Sequence, residues 1–326
     1  MRSNVIYFPY IRVPESAWLT RLLLYWDQVA SIIPSEYIYD PDRLGEHTRS
    51  LIEYELIRQI HPREYVWNIP SFSPAFEAHL TRDPAKLTER RVAFERGQTI
   101  RIHMEKMGPI ENVLCDSGIA VVDEYPWFSV ERQTATEFMA YLAACLGRVE
   151  GIDASPVSDE ESSLAPLMIE PGTTERRDGE LEALRWVVLE NLFPAPERPL
   201  RPEEIARFRQ QYGSTLREFR RRVEREVLAL AELSDTNRRA RCLELFRDEL
   251  DETVTEIRAR LRESGAGRTL VSKLWSVALA IPGVPSAVGL VNAIAQAFKG
   301  APKEPKPLPL AYAARAQLTL LGTEGA

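Results

Sequence analysis

VIYFPYIRVPESAWLTRLLLYWDQVASIIP, residues 5–34, is the stretch that decides the fold. Val5–Phe8 is a short β-type run stopped by Pro9. Glu15–Gln28 carries Trp18, Leu22, Tyr25 and Trp26 at helical spacing, with Ser16 placed to help cap it. Val29–Ile33 is apolar and largely β-branched, and Pro34 closes it. Strand, helix and strand in this compass are the pattern of a βαβ unit, which implies a parallel pair joined by a right-handed crossover.

Working outward, the same alternation continues. Asp42–Arg58 is predicted to be a helix, with Leu44, Leu51, Ile52, Leu56 and Ile57 apolar, and Tyr65–Ile69 to be extended. Phe72–Leu80 and Pro84–Arg96 read as helices, the second stopped by Gly97. Thr99–Met104, Ile119–Val122 and Trp127–Val130 read as strands, and Thr134–Leu146 as a helix. The expected class is therefore α+β or α/β, with residues 1–150 forming a mixed α/β domain. Residues 151–201 read as a linker with one helix, Gly179–Phe193, and with an apolar patch, Pro166–Ile169, able to pair onto a sheet edge.

After Pro202 the apolar period changes to three and four. Ile205, Phe208, Tyr212, Leu216, Phe219, Val223, Val227, Leu230 and Leu233 form one series, and Leu243, Phe246, Leu250, Val254, Ile257 and Leu261 a second. Two such series around a polar turn predict a long antiparallel helical hairpin of coiled-coil character over 202–264. A short apolar helical hairpin is expected over 268–299, and 300–326 is a Pro-rich linker with a C-terminal element readable as helix or strand.

Several strings carry a resemblance: YFPYI (7–11), LLLYWDQV (22–29), IIP (32–34), GIA (118–120), WFSVERQTATEFMAYLAACLG (127–147) and FRQQYGSTLREFR (208–220). Together they resemble an uncharacterised bacterial protein family of unknown function. The resemblance touches most of the chain and implies one recurring bacterial architecture. It brings no catalytic residues with it.

Composition narrows the class. The 326 residues are 44% hydrophobic and 27% charged, as in a soluble globular protein, and the net charge is −7. That balance argues against broad electrostatic capture of nucleic acid or anionic lipid. Cys115, Cys145 and Cys242 are odd in number and widely spaced, so no disulfide framework is implied. The first residues show no signal-peptide pattern, and the expected location is cytoplasmic.

The chemistry-bearing motifs are few. His47, His61, His79 and His103 are isolated, without a zinc-type spacing, so no metal site and no cofactor are expected. Gly265-Ala266-Gly267 lacks the close of a phosphate loop. Asp123, Glu131 and Gln133 form the one nuclease-like string, two carboxylates and a polar group of the kind that hold a metal and its water. A strand-to-helix junction explains them more simply. The arginines at 217, 220, 221, 222 and 225 sit in a segment, 202–263, with fourteen arginines and fourteen acids. They read as a salt-bridged surface, with pairs such as Glu218–Arg222. Dense N-terminal aromatics fit core positions at this spacing; the alternative is a ligand pocket at the end of the first strand, near Pro9–Arg12, with Tyr10, Arg12 and Asp27 the residues to watch.

Thr269–Phe298 departs most from an ordinary soluble protein, holding a single charge, Lys273. Pro282 and Pro285 divide it into halves too short to span a bilayer. Leu270, Leu274, Trp275, Ile281, Val288, Val291 and Phe298 line its apolar faces, which are expected to pack on the α/β domain or the helical hairpin unless a partner or a membrane takes them. The expected function is that of a non-enzymatic interaction or effector protein that meets a protein partner or a second copy through these helices. Two alternatives stand beside it. One is a membrane-active effector in stress or antiphage defence, peripheral to the inner membrane through 269–298. The other is a metal-dependent nuclease-like enzyme in the N-terminal domain.

Overall fold

The computed structural model describes residues 4–159, 200–233, 235–263 and 310–321, together with 181, 184–190, 192, 193 and 196. The apolar stretch 269–298, with all seven of its interaction residues, and the patch Pro166–Ile169 lie outside the described residues. The chain forms two compact units, Met1–Ala183 with Pro199–Gln210, and Leu184–Arg198 with Gln211–Ala326.

The first unit is built on the opening βαβ. Strand β1 (Asn4–Tyr7), helix α1 (Ala17–Tyr25) and strand β2 (Gln28–Ile32) follow in order, and β1 and β2 pair in parallel from Asn4↔Gln28 to Tyr7↔Ser31. Ser16 caps α1, its hydroxyl accepting from the Leu19 N–H at 3.3 Å. After α2 (Glu36–Tyr39) and α3 (Glu46–Glu53), β3 (Ile57–Ile60) adds beside β2. The helix expected to run to Arg58 therefore stops five residues early. Glu55 turns into the left-handed region at φ 55°, and the Leu56 N–H reaches back to the Leu51 carbonyl. Ile57 and Ile60 are released to the sheet, where both are buried.

Tyr65–Ile69 is not extended either. Pro62–Glu64 and Val66–Asn68 are single 3₁₀ turns, closed by local bonds from Tyr65 N–H to Pro62 O and Asn68 N–H to Tyr65 O. Helices α4 (Phe72–Thr81) and α5 (Pro84–Glu95) come next, and Gly97 ends the second at φ 75°. A second, antiparallel sheet has the order β4-β6-β5, from β4 (Thr99–His103), β5 (Ala120–Val122) and β6 (Trp127–Glu131). Between its first two strands in sequence lie α6 (Met104–Met107) and α7 (Glu111–Asp116).

Helix α8 (Arg132–Gly147) returns the chain to the parallel sheet, where β7 (Ala154–Val157) pairs with β1 on the side away from β2. The final order is β3-β2-β1-β7. This last strand lies inside the stretch read as linker. Its sequence, ASPV, carries a proline and little β character, and the outermost place in the sheet is where a proline costs no shared hydrogen bond.

Both faces of the parallel sheet are covered, which is why the central pair β1 and β2 buries nearly every residue while β3 and β7 at the edges bury only their end residues. Ile6, Phe8, Ala30, Ile32 and Ile60 share one core with Phe76 of α4 and with Phe138, Met139, Leu142 and Leu146 of α8. On the opposite face Tyr7 meets Trp18 of α1, ring centroids 5.7 Å apart.

In the second unit, α9 (Pro202–Ala231), of which the first turns belong to the other unit, and α10 (Thr236–Glu263) are the two long helices expected. Phe219, Val223, Val227 and Leu230 of α9 and Phe246, Leu250 and Val254 of α10 are buried. Arg222 does not pair with Glu218. Its guanidinium donates to Glu226 at 2.9 Å and to Glu249 of α10 at 2.5 Å, and lies over the Phe246 ring at 4.4 Å. The C-terminal element is helical. After α11 (Ala311–Ala316) the chain makes a π turn to Leu321. Tyr312 stacks on Phe219 at 5.4 Å, and the Gln317 side chain donates to the Leu192 carbonyl at 2.9 Å. Among the described residues no helix is long and apolar enough to cross a membrane.

Candidate functional site

Beyond Tyr7 the backbone of β1 runs on through Phe8-Pro9-Tyr10-Ile11-Arg12, and this extension forms one wall of a cavity of about 450 Å³. The sheet order explains the position. From β1 the chain builds outward through β2 and β3, while β7 returns on the other side, so connections diverge at the carboxyl end of β1. Open parallel sheets leave a crevice at such a point. Here the opposite wall comes from β4 (Ile100–His103), Lys106 of α6 and Trp127 of β6, with Thr136 and Met139 of α8 beneath and Tyr37 at the side.

Among the described residues its lining carries basic groups, Arg12, Arg101, His103 and Lys106, and no acidic one, while Arg101 pairs with Asp123 and Glu124 beside it. Arg12 is exposed and held in place by donating from Nε and a terminal nitrogen to the Arg43 carbonyl, at 3.1 and 2.7 Å. Arg101 lies 5.3 Å from the Trp127 ring centre and pairs with Asp123 at 3.0 Å. Tyr37 is buried, which pushes its hydroxyl pKa up against the opposing charge of Arg43.

His103 closes the end of β4 and is 2% exposed. Its Nδ1 accepts from the Glu105 N–H at 3.2 Å, so in the neutral ring the proton sits on Nε2, 3.4 Å from the Glu36 carboxylate. The Trp127 ring meets it edge-on at 5.2 Å. Burial lowers the His103 pKa, and the Glu36 charge opposes that shift without reversing it. Glu105 in turn accepts from the Ser35 N–H at 2.6 Å, tying α6 to the start of α2.

Lys106 is the exceptional group. It is 3% exposed, and among the described residues its amine has no hydrogen bond and no ion pair. Burial pulls its pKa down to about 7. An isolated ammonium in such a place is costly, and the neutral amine is the form that burial favours. The short helix that carries it is anchored by Gly108, whose φ is 53° and where a Cβ would lie 2.5 Å from Val66 Cγ1.

Of the residues singled out in the sequence, Tyr10 and Arg12 line this cavity. Asp27 lies just before the start of β2, at the other end of the sheet, where its carbonyl accepts from Arg209. Asp123, Glu131 and Gln133 are not brought together. Asp123 faces Trp127 at the hairpin end of β6 and Glu131 closes the far end, four residues and about 13 Å along the strand. Glu131 is the cap of α8, accepting from the Gln133 and Thr134 N–H groups at 2.9 and 2.7 Å and from the Thr134 hydroxyl at 2.7 Å. Gln133 donates to Glu137 at 3.0 Å. Among the described residues no group of three His, Cys, Asp or Glu is placed to hold a metal.

A second polar cluster ties α4, α5 and α8 together. Glu137 accepts from Arg90 at 2.9 Å on both oxygens, from His79 at 2.9 Å and from Gln133. Its partners saturate it, so its part is structural.

The sequence reading did not find His103, Lys106 or Trp127 as site residues. Lys106 had one available signal. The chain has 6 lysines in all, and only Lys86 and Lys106 fall among the described residues. No protein-family model, curated protein or solved structure matches the chain.

Proposed function

We propose that the α/β unit binds a small anionic molecule that carries a flat ring or other unsaturated group. The observation that supports this is a cavity at the sheet's divergence point that, among the described residues, is lined by Arg12 and Arg101 from two elements and by Tyr10 and Trp127, with no acidic residue. A carboxylate or phosphate meets Arg12 and Arg101, and a flat portion lies against the aromatics. Isothermal titration of the full chain with a panel of aromatic phosphates and carboxylates tests it. Saturable binding is expected, weakened about tenfold or more in R12A, the loss expected for one charge-assisted contact. Heats of dilution alone across the panel, or the native chain's affinity retained in both R12A and R101A, would sink the reading.

A second reading rests on the sequence of Thr269–Phe298 and its single charge. It is association with a protein partner or a second copy, with lipid contact as the alternative. Sedimentation of the full chain against a deletion of 269–298 separates these. Concentration-dependent mass lost on deletion supports self-association, and flotation with vesicles supports lipid contact. An unchanged monomer that ignores vesicles removes both.

A further inference from the structure

The cavity has a group that binding alone does not explain. A lysine at 3% exposure ordinarily keeps its charge by meeting a carboxylate or several carbonyls, and Lys106 meets none among the described residues. It is also the one lysine on the walls, in a chain that uses arginine almost everywhere else. A buried amine without a counter-ion has the character of a nucleophile rather than of an anchor.

We propose that Lys106 forms an imine with an aldehyde or ketone that enters this cavity carrying a carboxylate or phosphate. The inference rests on the anion-binding reading above and adds the reactive group of the ligand. The lone pair of the neutral Nζ attacks the carbonyl carbon, the C=O π electrons move to oxygen, and oxygen takes up the proton that nitrogen releases. The nitrogen lone pair then forms the C=N bond as the hydroxyl departs, and the remaining nitrogen proton joins it to leave as water. The carbonyl compound and the amine give the imine and one water, with no oxidant or reductant. Arg12 and Arg101 line the cavity as the groups to meet the anionic end, and Trp127, with Arg101 over its ring, lines it as the aromatic partner of the conjugated system. His103 is the neighbouring proton-holding group, with Nε2 toward Glu36. Burial gives Lys106 a pKa of about 7, so roughly half of the amine is neutral near that pH.

The test uses the full chain and two probes, each followed by borohydride reduction and peptide mass mapping. Pyridoxal 5′-phosphate has an aldehyde, a flat ring and a phosphate. Phenylpyruvate has a ketone, a ring and a carboxylate. Labelling at Lys106 is expected to exceed that at the exposed Lys86 by at least tenfold with one probe or both, which also tells phosphate from carboxylate preference. K106M is expected to lose that label while still binding pyridoxine 5′-phosphate, which keeps ring and phosphate but has an alcohol for the aldehyde. Where K106M does not fold, competition by pyridoxine 5′-phosphate against Lys106 labelling of the native chain serves instead. Label spread evenly over Lys86 and Lys106, with pyridoxine 5′-phosphate still bound, overturns the imine and leaves the anion pocket standing. No selective label and no binding of any of the three overturns both.

Discussion

Two buried ionisable groups in the first unit show how differently the surroundings of such a group can be used. Glu137 is surrounded by donors. Burial pushes its pKa up, but hydrogen bonds from His79, Arg90 and Gln133 and the charge of Arg90 outweigh that and bring it to about 2. Its folded value therefore lies below the ordinary 4.5 of a free glutamate. The stability it contributes is complete above about pH 4.5 and is lost as pH falls toward 2. E137Q is expected to cost about 3 kcal/mol at pH 7, because Arg90 is left buried without its partner. Urea midpoints should differ clearly at pH 7, and the gap should shrink to less than half by about pH 3 and close only below about pH 2. A difference that persists unchanged at pH 3 would show that packing rather than charge holds the cluster. Lys106 is the opposite case, a buried charge with no partner, and it stands on the wall of a cavity. No local pattern in the sequence distinguishes the two, since what separates them is which distant elements supply donors.

At the scale of elements, local patterns were legible where the chemistry is local. The β1–α1–β2 unit, the helices α4, α5 and α8, the hairpin α9–α10 and the strands of the antiparallel sheet all follow from periodicity and from stop residues such as Gly97. The misreadings occur where a tertiary contact overrides a plausible local pattern. Leu51, Ile52, Leu56 and Ile57 fit a helix, yet Glu55 breaks it and Ile57 goes to the sheet. ASPV reads as linker because an edge position tolerates what a central strand cannot. Glu131 and Gln133 allowed two readings, because a helix cap and an acidic site use the same residue types, and the simpler junction is what forms. The short helix α6 gives a sharp test of how the cavity wall is set. G108A must both adopt a left-handed φ and displace Val66, at about 2–4 kcal/mol together. Thermal unfolding should show a lower Tm, and adding V66A should recover part of the loss. No recovery in the double variant would assign the whole cost to the backbone.

For the molecule as a whole, the sequence showed an α/β part followed by a helical part, and that division holds in class. It did not show that residues 154–157 belong to the first unit, nor that the first turns of α9 do. The candidate site was half legible. Tyr10 and Arg12 follow from the rule that places ligands at the carboxyl end of β1. Lys106, His103 and Trp127 reach the same cavity only because β4, α6 and β6 come up to the extension of β1, and that arrangement has no sequence signature.

The place of β1 carries a consequence in time. Its two neighbours are Gln28–Ile32, whose first residue is 24 positions after Asn4, and Ala154–Val157, whose first residue is 150 positions after it. A ribosome delivers the first partner almost at once and the second only after the entire antiparallel sheet and α8 have been made. Until then one side of β1 is an open edge of apolar backbone, the kind of surface that invites wrong pairing. Long-range closure of this sort is slow compared with hairpin or helix formation. Stalled nascent chains of increasing length should accordingly become protease-resistant in a single step, once β7 has left the exit tunnel. Gradual resistance gained before that length would mean that β1, β2 and β3 hold together without their last strand.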